Sequence, residues 1–287
     1  MNIKLDLIFF IIIVTILLIF IYKKLVLIEN LEGYNYIYKK KYENILCDTS
    51  YENPKFKIGV YLINMDKSFD RLDNFKNQVN KTDLVKLNIK RFSAIDGKKI
   101  NIKNYVTDDA YKQIIDTEDL GYRIKHYELT SGAVGCFLSH INLYKSILNN
   151  NLINVALIFE DDIKILDPKI YCKILYIIES IPPDWDIILL GYKCIYCINF
   201  KDYYKLKHFF LLHSYLINKN AIKKILAEFQ QKPIDKQLDS FLSEMAINDE
   251  LNIYAPKKQY IIQNHKFGTY IQQPIKYSDD VDPYELN

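Results

Sequence analysis

The sequence predicts an α/β domain, a mixed, mainly parallel sheet flanked by helices, with an N-terminal membrane helix ahead of it. Three observations carry that reading. Val155-Ala156-Leu157-Ile158-Phe159 is a continuous apolar run, the pattern of a strand buried on both faces, and it runs straight into Glu160-Asp161-Asp162. Between Phe56 and Ala94 the pattern is strand, helix, strand with short loops, which implies parallel pairing through a crossover. Leu7 to Tyr22 is apolar or aromatic apart from Thr15. Counted from Ile3, that stretch is long enough to cross a bilayer, for which about 20 residues suffice.

No small-residue cleavage site follows the apolar stretch, since Tyr22-Lys23-Lys24-Leu25 suits signal peptidase poorly. Residues 1–28 are therefore expected to be an uncleaved signal anchor, 29–54 a polar, Tyr-rich stem and 55–287 the folded domain. Lys23, Lys24, Lys39, Lys40 and Lys41 follow the span, against Lys4 before it, and the positive-inside rule then puts the domain in the cytoplasm. The chain of 287 residues has a net charge of +3, too small to argue for nucleic acid, and no basic stripe with interleaved aromatics. Its five cysteines, Cys47, Cys136, Cys172, Cys194 and Cys197, form no disulfide framework by spacing. They read as mostly reduced, structural thiols, with the Cys194–Cys197 pair left open.

The domain opens with a strand over Phe56–Asn64, rich in β-branched and aromatic residues. Ser68 then caps a helix whose buried stripe is Leu72, Phe75 and Val79. Arg71 in its first turn opposes the helix dipole, so it needs an anionic partner, either Asp66 or a ligand phosphate. A second strand, Asn88–Ala94, stops at the turn dipeptide Asp96-Gly97. Ile100–Tyr127 reads as an irregular helical insert over the site.

Thr130 or Ser131 caps the longest helix, which ends near Asn149, with Val134, Phe137, Leu138, Ile141 and Leu148 facing the core. Gly132, Gly135, Cys136 and Ser139 make a second stripe of small residues. Two glycines on one helical face imply a close approach, either by the sheet or by a ligand. A single histidine at His140 reads on residue type as a satisfied structural group. Three carboxylates cannot be buried unpaired, so the central strand ends at Glu160 and the acids lie at the carboxyl edge of the sheet, where such folds bind ligands. If the chain stays extended there, Glu160 and Asp162 point one way and Asp161 the other. Clustered carboxylate oxygens suit a hard divalent cation, and such a cation suits a diphosphate. The bland alternative is a solvated acidic turn capping a helix.

Asp184–Gly191 and His213–Ile217 are further strands. Asn220–Gln230 is a helix with Ile222, Ile225, Leu226 and Phe229 inward. Pro233-Ile234-Asp235 starts another, with Leu238, Phe241, Leu242 and Met245 as core face and Asp235, by spacing alone, a cap. Tyr254–Ile262 is the final strand, followed by Asn264-His265.

Taken together, these stretches resemble the family 25 glycosyltransferases, which include lipopolysaccharide and procollagen galactosyltransferases. The matching pieces are Tyr61-Leu62-Ile63-Asn64 with Asp70-Arg71, Ala94-Ile95-Asp96-Gly97, and Leu129-Thr130-Ser131-Gly132 with Gly135-Cys136-Phe137-Leu138-Ser139-His140. Phe159-Glu160-Asp161-Asp162, Trp185-Asp186 through Leu190-Gly191, Tyr215-Leu216-Ile217 and Pro233-Ile234-Asp235 follow in order. The resemblance implies a GT-A fold and inverting transfer of a hexose, galactose or glucose, from a nucleotide-sugar donor such as a UDP-hexose to a glycan or protein hydroxyl. It implies a divalent metal, Mn2+, held by Asp161, Asp162 and His265. Asn64, Arg71, Asp96, Gly97, Gly135, Ser139, His140 and Glu160 would lie on the donor side. Asp235 would be the catalytic base, with Asp239 and Asp186 as the next candidates. The resemblance also favours a lumenal or periplasmic domain, against the lysine distribution, on a single-pass protein of the endomembrane or cell envelope. A catalytically silent member serving as an adhesion or scaffold protein is the alternative, and the intact acids argue against it.

Overall fold

The computed structural model describes residues 56–123 and 128–268. The expected anchor and stem, 1–54, lie outside the described residues, and no described helix is long and apolar enough to cross a membrane. Asn53–Asn287 forms one unit. Its strands are β1 (Ile58–Asn64), β2 (Ile89–Ser93), β3 (Val155–Glu160), β4 (Ile163–Ile165), β5 (Ile187–Leu189), β6 (Lys193–Asn199), β7 (Tyr203–Phe210), β8 (Ser214–Asn218), β9 (Ile253–Pro256) and β10 (Ile261–Gln263). Its α-helices are α1 (Phe69–Val79), α2 (Asp108–Leu120), α3 (Ser131–Leu148), α4 (Ile170–Ser180), α5 (Lys219–Gln231) and α6 (Leu238–Ile247).

The main sheet has the order β2-β1-β3-β8-β5-β9-β7-β6. β2, β1 and β3 pair in parallel, as do β5 and β9. β8 runs antiparallel between β3 and β5, and β7 runs antiparallel between β9 and β6. The expected mixed sheet, with most strands running one way, is what forms. The β6–β7 hairpin was not expected. The final strand divides into β9 in the main sheet and β10, which pairs with β4 in a sheet of its own.

Strand alternation divides the core into two layers. Tyr61, Ile63, Ala156, Ile158, Tyr215 and Ile217 face one way and pack with residues of α2, α3, α5 and α6. Val60, Leu62, Leu157, Phe159 and Leu216 face the other and pack with residues of α1 and α4. β3 is thus buried on both faces, which is why its sequence is apolar without alternation. Each such side chain contributes about 1.5–3 kcal/mol by leaving water. That burial pins the end of β3, and with it the position of the acids.

One of the expected helix caps forms as the sequence places it. The Thr130 hydroxyl accepts from the Ala133 N–H and so caps α3. Ser68 precedes α1 but makes no side-chain cap. One expected helix start moves: α6 begins at Leu238, and Pro233-Ile234-Asp235 is not helical. Ile234 is instead tied to the 102–107 segment, with its N–H donating to the Tyr105 carbonyl and its own carbonyl accepting from the Thr107 N–H.

The cysteines also differ from expectation. Cys194 and Cys197 are joined in a disulfide across the bulged part of β6, and Cys172 is disulfide-bonded as well. Cys136 is the free cysteine among the described residues.

Candidate active site

The acidic stretch is buried rather than solvated. Asp161 and Asp162 are 7% and 5% exposed. The chain turns directly after Glu160, so the three side chains do not alternate as on an extended strand, and β4 follows the turn with no helix to cap. All three acids line one cavity, together with Asn64, Lys67, Arg71, Asp96, Gly97, Ser139 and His140. Seven of the eight expected donor-side residues, all but Gly135, therefore meet in one place.

Arg71 finds its anion in this turn and not in Asp66. Its Nη1 donates to Asp161 Oδ1 at 3.0 Å and lies 3.8 Å from Asp162 Oδ2. Its Nη2 donates to the Gly268 carbonyl at 2.8 Å. Asp66 pairs with Arg91 at 2.6 Å instead. The Asn64 amide, at the end of β1, donates to Asp161 Oδ2 at 2.7 Å and accepts from Arg91 Nε at 2.8 Å. Both oxygens of Asp161 are thus satisfied.

Asp162 is not so provided. Its Oδ2 accepts from Gln263 Nε2 at 3.1 Å, while its Oδ1 is buried with no hydrogen-bond partner. Burial, reinforced by the negative charge of Glu160, raises its carboxyl from the ordinary 3.8 to about 7. Burial raises Asp161 too, against the hydrogen bonds from Arg71 and Asn64. An acidic pair only half balanced by one guanidinium, with one carboxylate oxygen left bare, has the chemistry of a site for a hard cation. The expected ligands Asp161 and Asp162 fit that group. His265 lies in a short 3-10 turn and lines a second cavity rather than this one.

Two members of the small stripe on α3, Gly135 and Ser139, meet the chain's own backbone, while Gly132 and Cys136 line the cavity. A Cβ on Gly135 would sit 2.6 Å from the Gly97 nitrogen and the Ile95 carbonyl, and one on Gly97 would run into the Ser131 carbonyl. Ser139 Oγ accepts from the Ile95 N–H at 2.8 Å. So Gly135 and Ser139 seat the Ile95–Gly97 turn, and that turn forms the cavity wall. Lys67 pairs with Asp96 at 2.8 Å on the rim and holds its carboxyl below the ordinary range.

His140 is far from inert packing. Cys136, His140 and Tyr144 fall at i, i+4 and i+8 on α3 and share a face. His140 Nε2 lies 3.1 Å from Glu160 Oε1, and Nδ1 lies 2.7 Å from the Tyr215 hydroxyl, which is 2.7 Å from that of Tyr144. Burial raises the Glu160 carboxyl, but the hydrogen bond and charge of His140 outweigh it, and the net position is lowered. Burial pushes the Tyr215 hydroxyl well above its ordinary range. Tyr144 and Tyr215 were not anticipated. The i, i+4 repeat ahead of the acids was the available signal.

The second cavity adjoins the first across Cys136, His140 and Glu160, which line both. Its other walls include Lys193, Leu211, His213, Gln237, Asp239 and His265. Asp239, in the first turn of α6, accepts from the Leu211 N–H at 3.1 Å. Leu211 has φ of 75°, a left-handed conformation that costs a non-glycine residue on the order of 1–3 kcal/mol. Asp235 lines neither cavity; it is exposed and lies 3.5 Å from Lys236 on another face. Asp186 is buried at the amino end of β5, the opposite edge of the sheet from the acids, and pairs with Lys224 at 2.8 Å.

Curated proteins resemble parts of this sequence. The chain is 29% identical over 213 residues to procollagen galactosyltransferase 1-A of Xenopus laevis, an alignment covering 69% of this chain and 33% of that protein. It is 28% identical over 151 residues to human procollagen galactosyltransferase 2, covering 49% of this chain and 22% of that one. The chain thus spans about a third or less of the curated relatives it matches. A solved complex of Drosophila β1,4-galactosyltransferase 7 with manganese, UDP-Gal and xylobiose aligns over 78% of this chain and 77% of that one, at 9% identity and a TM-score of 0.38. Residues 57–242, including the acidic turn, Arg71, His140 and α3, match the model of glycosyltransferase family 25, described as LPS biosynthesis proteins, and the chain belongs to that family.

Proposed function

We propose that the domain is a GT-A-type, inverting hexosyltransferase. It moves galactose or glucose from a UDP-sugar to a hydroxyl of a glycan or protein acceptor. The observation that supports this best is the buried acidic turn at the carboxyl end of β3, with its bare Asp162 oxygen, between two adjoining cavities. The names of the procollagen galactosyltransferase relatives favour galactose and a protein acceptor.

In this reading the first cavity takes the donor. Lys67 and Lys98 at its mouth and Arg71 at its floor supply positive charge for a diphosphate. The Ile95–Gly97 turn, held against α3, gives the nucleotide a rigid wall. Asp161 and Asp162 would hold a divalent cation such as Mn2+, which would neutralise charge developing on the departing diphosphate. The second cavity takes the acceptor. Inversion needs one base in line with the leaving group, and a base must reach the hydroxyl it deprotonates. Asp239 lines that cavity and Asp235 does not, so Asp239 is the base in this proposal. His140 and Glu160 stand on the shared wall and orient the sugar between donor and acceptor.

The N-terminal apolar segment makes the protein single-pass and membrane-anchored, in the endomembrane system or cell envelope. The disulfides of Cys172 and Cys194–Cys197 favour an oxidising compartment for the domain over the cytoplasm. The direct test offers the detergent-solubilised full chain a panel of UDP-sugars with and without Mn2+. Metal-dependent turnover of one hexose donor is the expected result, and no turnover or hydrolysis of any donor would overturn the reading.

A further inference from the structure

We propose that Cys136, His140 and Glu160 form a second cation site, for a thiophilic divalent ion of the Zn2+ class, separate from the all-oxygen pair Asp161 and Asp162. One donor atom from each of the three lies within 4.8 Å of the others. Cys136 and His140 are four residues apart on α3, a spacing that turns both side chains to the same side of a helix and recurs in zinc sites. Glu160 approaches them from the end of β3, with Oε1 3.1 Å from His140 Nε2 and 3.9 Å from Cys136 Sγ.

Ligand chemistry separates the two sites. A thiolate and an imidazole select zinc-like ions, whereas carboxylates alone suit magnesium or manganese. The surroundings of His140 are those of a metal-binding histidine, whose second ring nitrogen is fixed by a hydrogen bond. Nδ1 is held by the Tyr215 hydroxyl at 2.7 Å, and Tyr215 by Tyr144. With Nδ1–H donating to Tyr215, a cation at Nε2 would take the place of the proton that His140 otherwise shares with Glu160. Three protein ligands leave a fourth position open, and all three residues line both cavities. An ion bound there stands on the wall shared by both cavities and is accessible to solvent or a ligand hydroxyl. The inference needs neither a sugar donor nor transfer activity, so it stands or falls apart from the proposed function.

The test is titration of the untagged, chelator-treated full chain with Co2+, a spectroscopic stand-in for Zn2+. One equivalent should bind with a near-ultraviolet thiolate charge-transfer band and intense visible bands of a low-coordinate ion. Zn2+ should bleach both. The bands should vanish in Cys136→Ser and persist in Asp162→Asn. A second measurement needs no substitution: alkylation of Cys136, followed by peptide mass spectrometry, should slow at least tenfold when Zn2+ is added. Absence of the thiolate band, its survival in Cys136→Ser, or equal alkylation rates with and without Zn2+ would overturn the proposal.

Discussion

Replacing Asp162 by Asn should stabilise the metal-free protein at pH 8. The wild-type carboxyl is raised from 3.8 to about 7 by burial and by Glu160, so its charged form is disfavoured in the fold. A carboxyl shifted upward contributes stability below its unfolded value, and that contribution is lost as pH climbs through the folded value. Three pKa units correspond to about 4 kcal/mol, an upper figure because the site can relax and admit water. Even half of that, about 2 kcal/mol, raises Tm by about 4–8 °C in a domain of this size. Asn retains an oxygen for Gln263 and removes the buried charge. The assay is thermal unfolding of wild type and Asp162→Asn in chelator, from pH 4.5 to pH 8.5. The gain should be largest at pH 8 and should shrink steadily toward pH 4.5, where wild type is itself protonated at this position. Mn2+ should raise the wild-type Tm at pH 8 and leave the variant's unmoved. An Asn variant that melts at or below wild type at pH 8 without metal would refute the claim that Asp162 is an uncompensated buried charge.

Arg71→Met should do the reverse, lowering stability by about 3–5 kcal/mol in metal-free thermal unfolding, because Asp161 and Asp162 lose their buried cation. Gly135→Ala should cost about 1–3 kcal/mol and weaken UDP-sugar binding by calorimetry, since its Cβ displaces the Ile95–Gly97 turn; an unchanged Tm and Kd would contradict the close approach. Asp239→Asn should lower kcat by about 10²–10⁴-fold with donor Kd unchanged, while Asp235→Asn should leave kcat near wild type; the opposite ranking would return the base to Asp235. Asn80-Lys81-Thr82, the one glycosylation sequon in the sequence, is exposed at the end of α1, so a lumenal domain should gain a glycosidase-sensitive mass shift on expression in microsomes.

Much of the fold was legible because burial on two faces leaves a plain trace. The run Val155–Phe159 could be neither a surface strand nor a solvated loop, and the acids after it could only mark its end. The Thr130 cap and the α3 stripe were legible for the same reason, since each encodes a local rule. Strand direction was not. The short apolar run ahead of Asn218 reads the same in either direction, and its antiparallel insertion as β8 is settled by contacts with β3 and β5. The β6–β7 hairpin mixes lysines and aromatics, with exposed Tyr196 and Ile198, so no clean alternation announces it. Arg71 was recognised as needing an anion, but its partner lies 90 residues away, beyond any local pattern. Pro233-Ile234-Asp235 reads as a helix start because a proline is followed by an acid, whereas bonds between Ile234 and the Tyr105 and Thr107 backbone hold that segment outside α6.

The acidic turn is also a splice. β4 leaves it and pairs with β10, the Asn264 N–H donates to the Asp162 carbonyl, and the Gly268 carbonyl accepts from Arg71. Those partners lie past residue 242, where the match to the family ends. The chemistry-bearing acids thus lie within the stretch that matches the family model, while part of what clamps them lies outside it. Substitutions within residues 259–268 should therefore change the setting of Asp162 without altering one of the carboxylates.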